Sequence, residues 1–122
     1  MKTSWLACWI AAPCLMGQAS AAAPCANSGS ALANCAASWQ IIFEKQFLDD
    51  LGSAYEAGYF GAFVLGIALT GNGWFFCPRL PFTEDQLSAT VAKYLRANPE
   101  QWGSQPIDLV KSALALEFPC RK

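Results

Sequence analysis

The sequence predicts a small all-α domain, a disulfide-stapled helical bundle of about four to five helices. Apolar residues recur at intervals of three and four along most of the chain, and no stretch alternates apolar and polar residues for long enough to indicate a strand. The length of 122 residues suits one domain and is too short for two.

The composition excludes several classes of function. Hydrophobic residues make up 54% of the chain and charged residues 14%, which argues against disorder. The formal net charge of -1 argues against a nucleic-acid-binding protein, which would carry clustered Lys and Arg. Histidine is absent, so a His-based catalytic triad cannot form. We expect no cofactor and no metal.

Residues 1–21 have the pattern of a cleaved secretory signal peptide. Lys2 is the only charge before Glu44, an apolar run follows it from Trp5 to Met16, and small residues end at Ala21. A membrane anchor is the alternative, but the run is about 12 residues and a span needs roughly 20. The predicted mature chain, residues 22–122, is therefore an exported single domain without a membrane span.

Removal of the signal peptide leaves four of the six cysteines. The chain has no C-x-x-C pair, which argues against a zinc site. An even number of cysteines in an oxidising compartment indicates two disulfides, with three possible connectivities. Cys77 and Cys120 each adjoin a proline and thus lie on rigid, non-helical backbone, so we pair them. Cys25 with Cys35 is then the second pairing.

The first half of the mature chain predicts three helical segments. The stretch from Ser30 to Ser38 is Ala-rich and predicts a short helix carrying Cys35. Apolar residues then recur with a helical period from Trp39 to Leu51, and Gly52-Ser53 is expected to break or bend that helix. The members of that apolar face are Ile42, Phe43, Phe47, Leu48 and Leu51.

The third segment, 54–69, carries small residues four positions apart, which would give one helix face a nearly flat surface. Its unbroken apolar part is about 13 residues, too short for a membrane span. We therefore expect a central, buried helix at a tight crossing. The flat surface also suggests a homodimer. The small residues are Ala54, Gly58, Ala62 and Gly66, with Ala57 and Gly61 beside them.

Two further helices are predicted in the second half. Thr83 to Gln86 has the pattern of a capping box, and the helix that it opens stops at Asn98-Pro99. The last helix begins near Pro106, a favoured first-turn residue, and ends at Pro119.

The sequence shows no motif of catalytic residues. The carboxylates of Glu44, Asp49, Asp50 and Glu56 fit ordinary solvated helix faces, and Gly71-Asn72-Gly73 fits a turn. A binding or inhibitory protein is therefore favoured over an enzyme. The candidate partner-binding residues are Asn72, Trp74, Phe75 and Arg79, in a segment that a disulfide at Cys77 would brace. For Phe75 and Phe76, burial in the core is the alternative.

Four motifs in the second half resemble the Rap/Tai-type immunity proteins. They are Ala62–Ile67 (AFVLGI), Phe76–Pro78 (FCP), Val91–Glu100 (VAKYLRANPE) and Ala113–Cys120 (ALALEFPC). The resemblance implies a small exported helical protein whose partner is a peptidoglycan amidase toxin of type VI secretion. It also implies the Cys77–Cys120 disulfide. The chain departs from the family near Phe60, where members often carry a cysteine, and Cys25 is the candidate substitute partner of Cys35.

The expected function is therefore inhibition of an amidase toxin in the periplasm. The alternative is a small periplasmic protein without an amidase partner, either chaperone-like or structural.

Overall fold

A computed structural model describes residues 24–46 and 50–121, and within them the fold is all-α, as predicted. Two 3₁₀ turns, Pro24–Ala26 and Pro99–Gln101, accompany the helices, and these residues contain no strand. The predicted signal peptide, residues 1–21, lies outside the described residues, as do Phe47, Leu48 and Asp49 of the predicted second helix. The four helices are α1 (Gly29–Phe43), α2 (Leu51–Gly71), α3 (Glu84–Ala97) and α4 (Pro106–Glu117).

Polar side chains fix where three of the helices begin. The Ser28 hydroxyl accepts a hydrogen bond from the Ala31 N–H at 3.0 Å, and the Asp50 carboxylate accepts one from the Ser53 N–H at 2.7 Å. The capping box predicted at α3 is present: the Gln86 N–H donates to the Thr83 hydroxyl, and the Thr83 N–H donates to the Gln86 side chain. Each bond satisfies an N–H that the helix itself leaves unpaired.

The predicted boundaries in the first half are wrong. The Ala-rich segment and the start of the Trp39 segment form one continuous helix, α1, which ends at Phe43. The next helix begins at Leu51 because the Asp50 carboxylate caps it, so Gly52 lies in its first turn and breaks nothing. Leu51, which the apolar pattern assigned to a buried face, is 85% exposed.

The core forms around α2, which packs against α1, α3 and α4, as expected for the central helix. Phe60 of α2 is fully buried, and its ring lies 6.2 Å from the Trp39 ring of α1. The large buried side chains from the other helices are aliphatic, and each contributes about 1.5–3 kcal/mol when it is fully buried. They are Leu32, Leu87, Val91, Leu95, Leu109, Val110 and Leu114.

The small-residue face of α2 is oriented differently from the prediction. Gly58, Ala62 and Gly66 are exposed, and a Cβ atom added at either glycine would meet nothing within 4 Å. The face that packs inward carries Ala57, Gly61, Phe60 and Val64 instead. Burial of the large apolar side chains sets the rotation of the helix, because their burial contributes far more than a close backbone approach.

A tight contact does occur at Gly61, one of the flanking small residues. A Cβ atom there would collide with the carboxylate of Glu84, which lies against the α2 backbone from the first turn of α3. Within the described ranges, no helix is long and apolar enough to cross a membrane.

Replacing the exposed glycines of α2 tests this orientation. We expect Gly58→Ala and Gly66→Ala each to raise the free energy of unfolding by about 0.4–1 kcal/mol, because alanine lowers the entropy of the unfolded chain and fits the native helix without contact. Urea unfolding of the purified domain, at a dilution where it is monomeric, measures the change. A loss of stability of the monomer at either position would show that the strip is packed within the domain, against the prediction.

Candidate partner-binding surface

The loop 72–82 leaves the end of α2 through a tight turn, as predicted. Gly73 has a φ of 83°, in the left-handed region that glycine adopts without steric cost. Its N–H donates to the Phe76 carbonyl at 2.9 Å, and the Trp74 N–H donates to the Gly71 carbonyl at 2.9 Å. These bonds fold residues 71–76 into a compact unit.

Gly71 is required by the packing of the turn. It is the last residue of α2, and the ring of Phe75 lies directly on it, in the space that a Cβ atom would fill. The Lys111 ammonium of α4 lies 5.6 Å from the centre of the same ring, within the range of a cation–π interaction. Phe75 is therefore half-buried, held between α2 and α4.

Phe76 anchors the loop in the core. Its side chain is fully buried, and its ring centre lies 5.4 Å from that of Phe75, 5.9 Å from that of Phe82 and 6.2 Å from that of Phe118. Rings at these distances add a pairwise attraction to the burial of their area. The core assignment left open by the sequence thus holds for Phe76 and in part for Phe75.

The structure joins the loop to the C-terminus by two bonds. Cys77 is disulfide-bonded to Cys120, and the Cys77 N–H donates to the Phe118 carbonyl at 2.8 Å. Cys120 Sγ also lies 4.0 Å from the carbonyl oxygen of Trp74. The chain just after α4 therefore packs along the loop and fixes its base.

A second disulfide joins Cys25, in the first 3₁₀ turn, to Cys35 of α1. Both cysteines are buried in the core. The structure thus has the two pairings that the sequence analysis favoured, and Cys25 is the partner of Cys35. This bond ties the first 3₁₀ turn to α1 and does not involve the loop.

The exposed side of the loop carries large side chains. Trp74 is 86% exposed and Leu80 is 78% exposed, while Asn72 and Arg79 are also exposed. We call these four residues the loop surface. The four candidate residues from the sequence therefore differ: Asn72, Trp74 and Arg79 are available to a partner, and Phe75 supports the loop from below.

Two of the acidic residues near α1 and α2 make hydrogen bonds within the fold. Asp50 caps α2, and the Glu56 carboxylate accepts a hydrogen bond from the Ser38 hydroxyl at 2.7 Å. Glu56 is half-buried, so the expectation of an ordinary solvated side chain is wrong for it, while Glu44 is exposed. Over residues 24–46 and 50–121, no group of three or more acidic or cysteine side chains is arranged to hold a metal ion.

The geometry describes a class of protein, a small helical domain that presents an aromatic loop on a disulfide-braced base. The family model of the Rap1a immunity proteins matches residues 28–120, which include all four helices and the loop. The chain belongs to this family and, by that membership, is an immunity protein against a secreted toxin. Cys25 lies outside the matched range. No curated protein matches the chain.

Substitution of Gly71 tests the packing of the loop. We expect Gly71→Ala to lower the free energy of unfolding by about 1–3 kcal/mol, because the added methyl group displaces the Phe75 ring. Thermal unfolding followed by circular dichroism measures the loss. Gly66→Ala, on the same helix, is the matched control and should not destabilise; equal stability of the two variants would contradict the packing described.

Proposed function

We propose that this chain is a periplasmic immunity protein that binds and inhibits a peptidoglycan amidase toxin delivered by type VI secretion, and so protects the producing cell. Membership of the Rap1a immunity protein family supports an immunity role. The two disulfides fit an oxidising compartment. Export would follow from the signal peptide predicted at residues 1–21, which would leave residues 22–122 as the mature domain.

The observation that carries the proposal is the exposure of Trp74. A tryptophan that is 86% exposed leaves a large apolar surface in water, and tryptophan and arginine are the residue types most enriched at interface hot spots. The backbone beside it is held by the turn at Gly73, the Phe76 anchor and the disulfide at Cys77. A loop held in this way loses little conformational entropy when it binds.

Inhibition by this loop needs no catalytic group. A protein that covers the catalytic cleft of an amidase with a standard interface of about 1,600 Å² excludes the substrate by volume alone. Trp74 and Arg79 would supply the central contacts, with Asn72 beside them. We accordingly propose a binding protein rather than an enzyme.

A homodimer forms part of the proposal. The exposed strip at Gly58, Ala62 and Gly66 permits the backbone of another helix to approach closely, and Leu69 on the same helix is 65% exposed. A second copy seated on this strip would bury both copies of the same surface, as a two-fold symmetric interface does.

The test needs the cognate amidase, and the proposal predicts that the gene adjacent to the one for this chain encodes it. We expect the wild-type chain to inhibit peptidoglycan hydrolysis by the amidase. The double variant Trp74→Ala with Arg79→Ala should raise the dissociation constant at least about 30-fold, because the loss of one hot-spot residue costs about 2 kcal/mol of binding free energy. Calorimetric titration measures the constant, and circular dichroism verifies the fold.

The matched control is Leu51→Ala with Arg96→Ala, which removes one exposed apolar side chain and one exposed arginine away from the loop. It should bind as the wild type does. Unchanged binding by the loop variant would remove the loop from the interface. No inhibition by the wild-type chain, or an adjacent gene that encodes no amidase, would contradict the amidase target.

A further inference from the structure

A groove runs between α3 and α4 and continues beneath the loop. Its larger part has a volume of about 850 Å³ and is bordered by the loop, the first half of α3 and the end of α4. A smaller part of about 400 Å³ adjoins it further along the two helices. Both parts share four lining residues, Ala89, Thr90, Leu116 and Glu117, so they form one continuous feature. We call it the α3–α4 groove.

The walls of the groove are apolar and exposed. Leu80 on the loop is 78% exposed, and Leu116 on α4 is 74% exposed. Small or half-buried side chains, including Ala89 and Thr90, line α3 between these walls. These two leucines provide apolar contact area on both sides of the groove.

The charges of the groove are opposite in sign to those of the chain as a whole. Arg79 and Arg121 line one end, and Lys93 lines the other, against a single carboxylate, Glu117. The chain has a formal net charge of -1, so this excess of cations is local. Such a groove attracts an acidic partner rather than a basic one.

The hydrogen-bonding groups of the groove favour a ligand whose side chains accept hydrogen bonds. Pro78, Pro81 and Pro119 line it and have no N–H to donate, and the Cys77 N–H already donates to Phe118. The donors that remain include the guanidinium groups and the amide nitrogen of Gln86, whose oxygen already accepts from Thr83. Carboxylates fit these donors best, because charge-assisted hydrogen bonds are the strongest available.

The length of the groove suits a peptide segment. From Gln86 to Asn98 it follows α3 for about 18 Å at the rise of an α-helix. An extended chain covers that distance with about five residues.

We propose that the α3–α4 groove binds an extended segment of the toxin that carries apolar side chains and at least one carboxylate. This assignment rests on the proposed function, and it extends the loop surface, which shares Arg79 and Leu80 with the groove, along α3 and α4. The carboxylate pairs with Arg121 and Arg79, and the apolar side chains pack between Leu80 and Leu116.

Two substitutions test the groove in the full mature chain, and the probe is the amidase that inhibition by the wild-type chain identifies in the preceding test. Arg121→Glu reverses the charge at one end, and Thr90→Trp fills the middle. We expect each to raise the dissociation constant at least tenfold in a calorimetric titration. A photo-cross-linking residue placed at position 90 should attach to a toxin segment that contains Asp or Glu.

The matched controls introduce the same residues outside the groove: Arg96→Glu on α3 and Ser112→Trp on α4, both at exposed positions. They should bind within twofold of the wild type. If the wild-type chain binds the amidase and the groove variants match their controls, the groove assignment fails and the proposed function stands. If the wild-type chain does not bind it, both fail. If the groove variants change only the self-association of the isolated chain, a second copy occupies the groove and the assignment also fails.

Discussion

The structure depends on the attachment of the C-terminus to the loop that follows α2. Phe76 fills the core among three other phenylalanines, and the next residue, Cys77, is bonded to Cys120 and hydrogen-bonded to Phe118. The disulfide closes a long loop, because its cysteines are 43 residues apart in sequence, and in the chain-entropy model such a bond constrains the unfolded state by about 4 kcal/mol. A domain of about 100 residues has a modest core, so this constraint is a large share of its stability. The same attachment holds the backbone of the loop that carries Trp74.

Much of the fold could be predicted from the sequence because its information is local. The capping box at Thr83 and the helix start at Pro106 depend on residues within one turn of each other, and both are where the pattern places them. The orientation of α2 could not be predicted in the same way. Its small residues repeat every four positions on one face and also flank that face, so the pattern fits more than one rotation. Burial of Phe60 and Val64 against the other helices decides between them, and that is a tertiary effect.

The candidate site was predictable only in part, for the same reason. A run of polar and aromatic residues beside a cysteine indicated the loop. It did not show which of the aromatic rings face inward. The contact between Phe75 and Gly71 and the position of Lys111 over that ring arise from the way α2 and α4 pack. The groove had no local pattern at all, since its walls come from segments around Leu80, Thr90 and Leu116 that are distant in sequence. Groove residues contributed by separate segments share no common pattern in the sequence.

Amide hydrogen exchange of the loop tests the central claim most directly. The Cys77 N–H and the Gly73 N–H are hydrogen-bonded in the folded protein. In a variant with Cys77→Ser and Cys120→Ser, we predict that both amides lose at least about 100-fold more protection than the buried amides of α2 lose, because the loop then opens locally at a lower free energy than global unfolding. A variant with Cys25→Ser and Cys35→Ser is the control. Its loop amides should lose no more protection than the buried amides of α2 lose. Loop amides that remain fully protected without the Cys77–Cys120 bond would contradict the account, since the bond would then not be what fixes the loop.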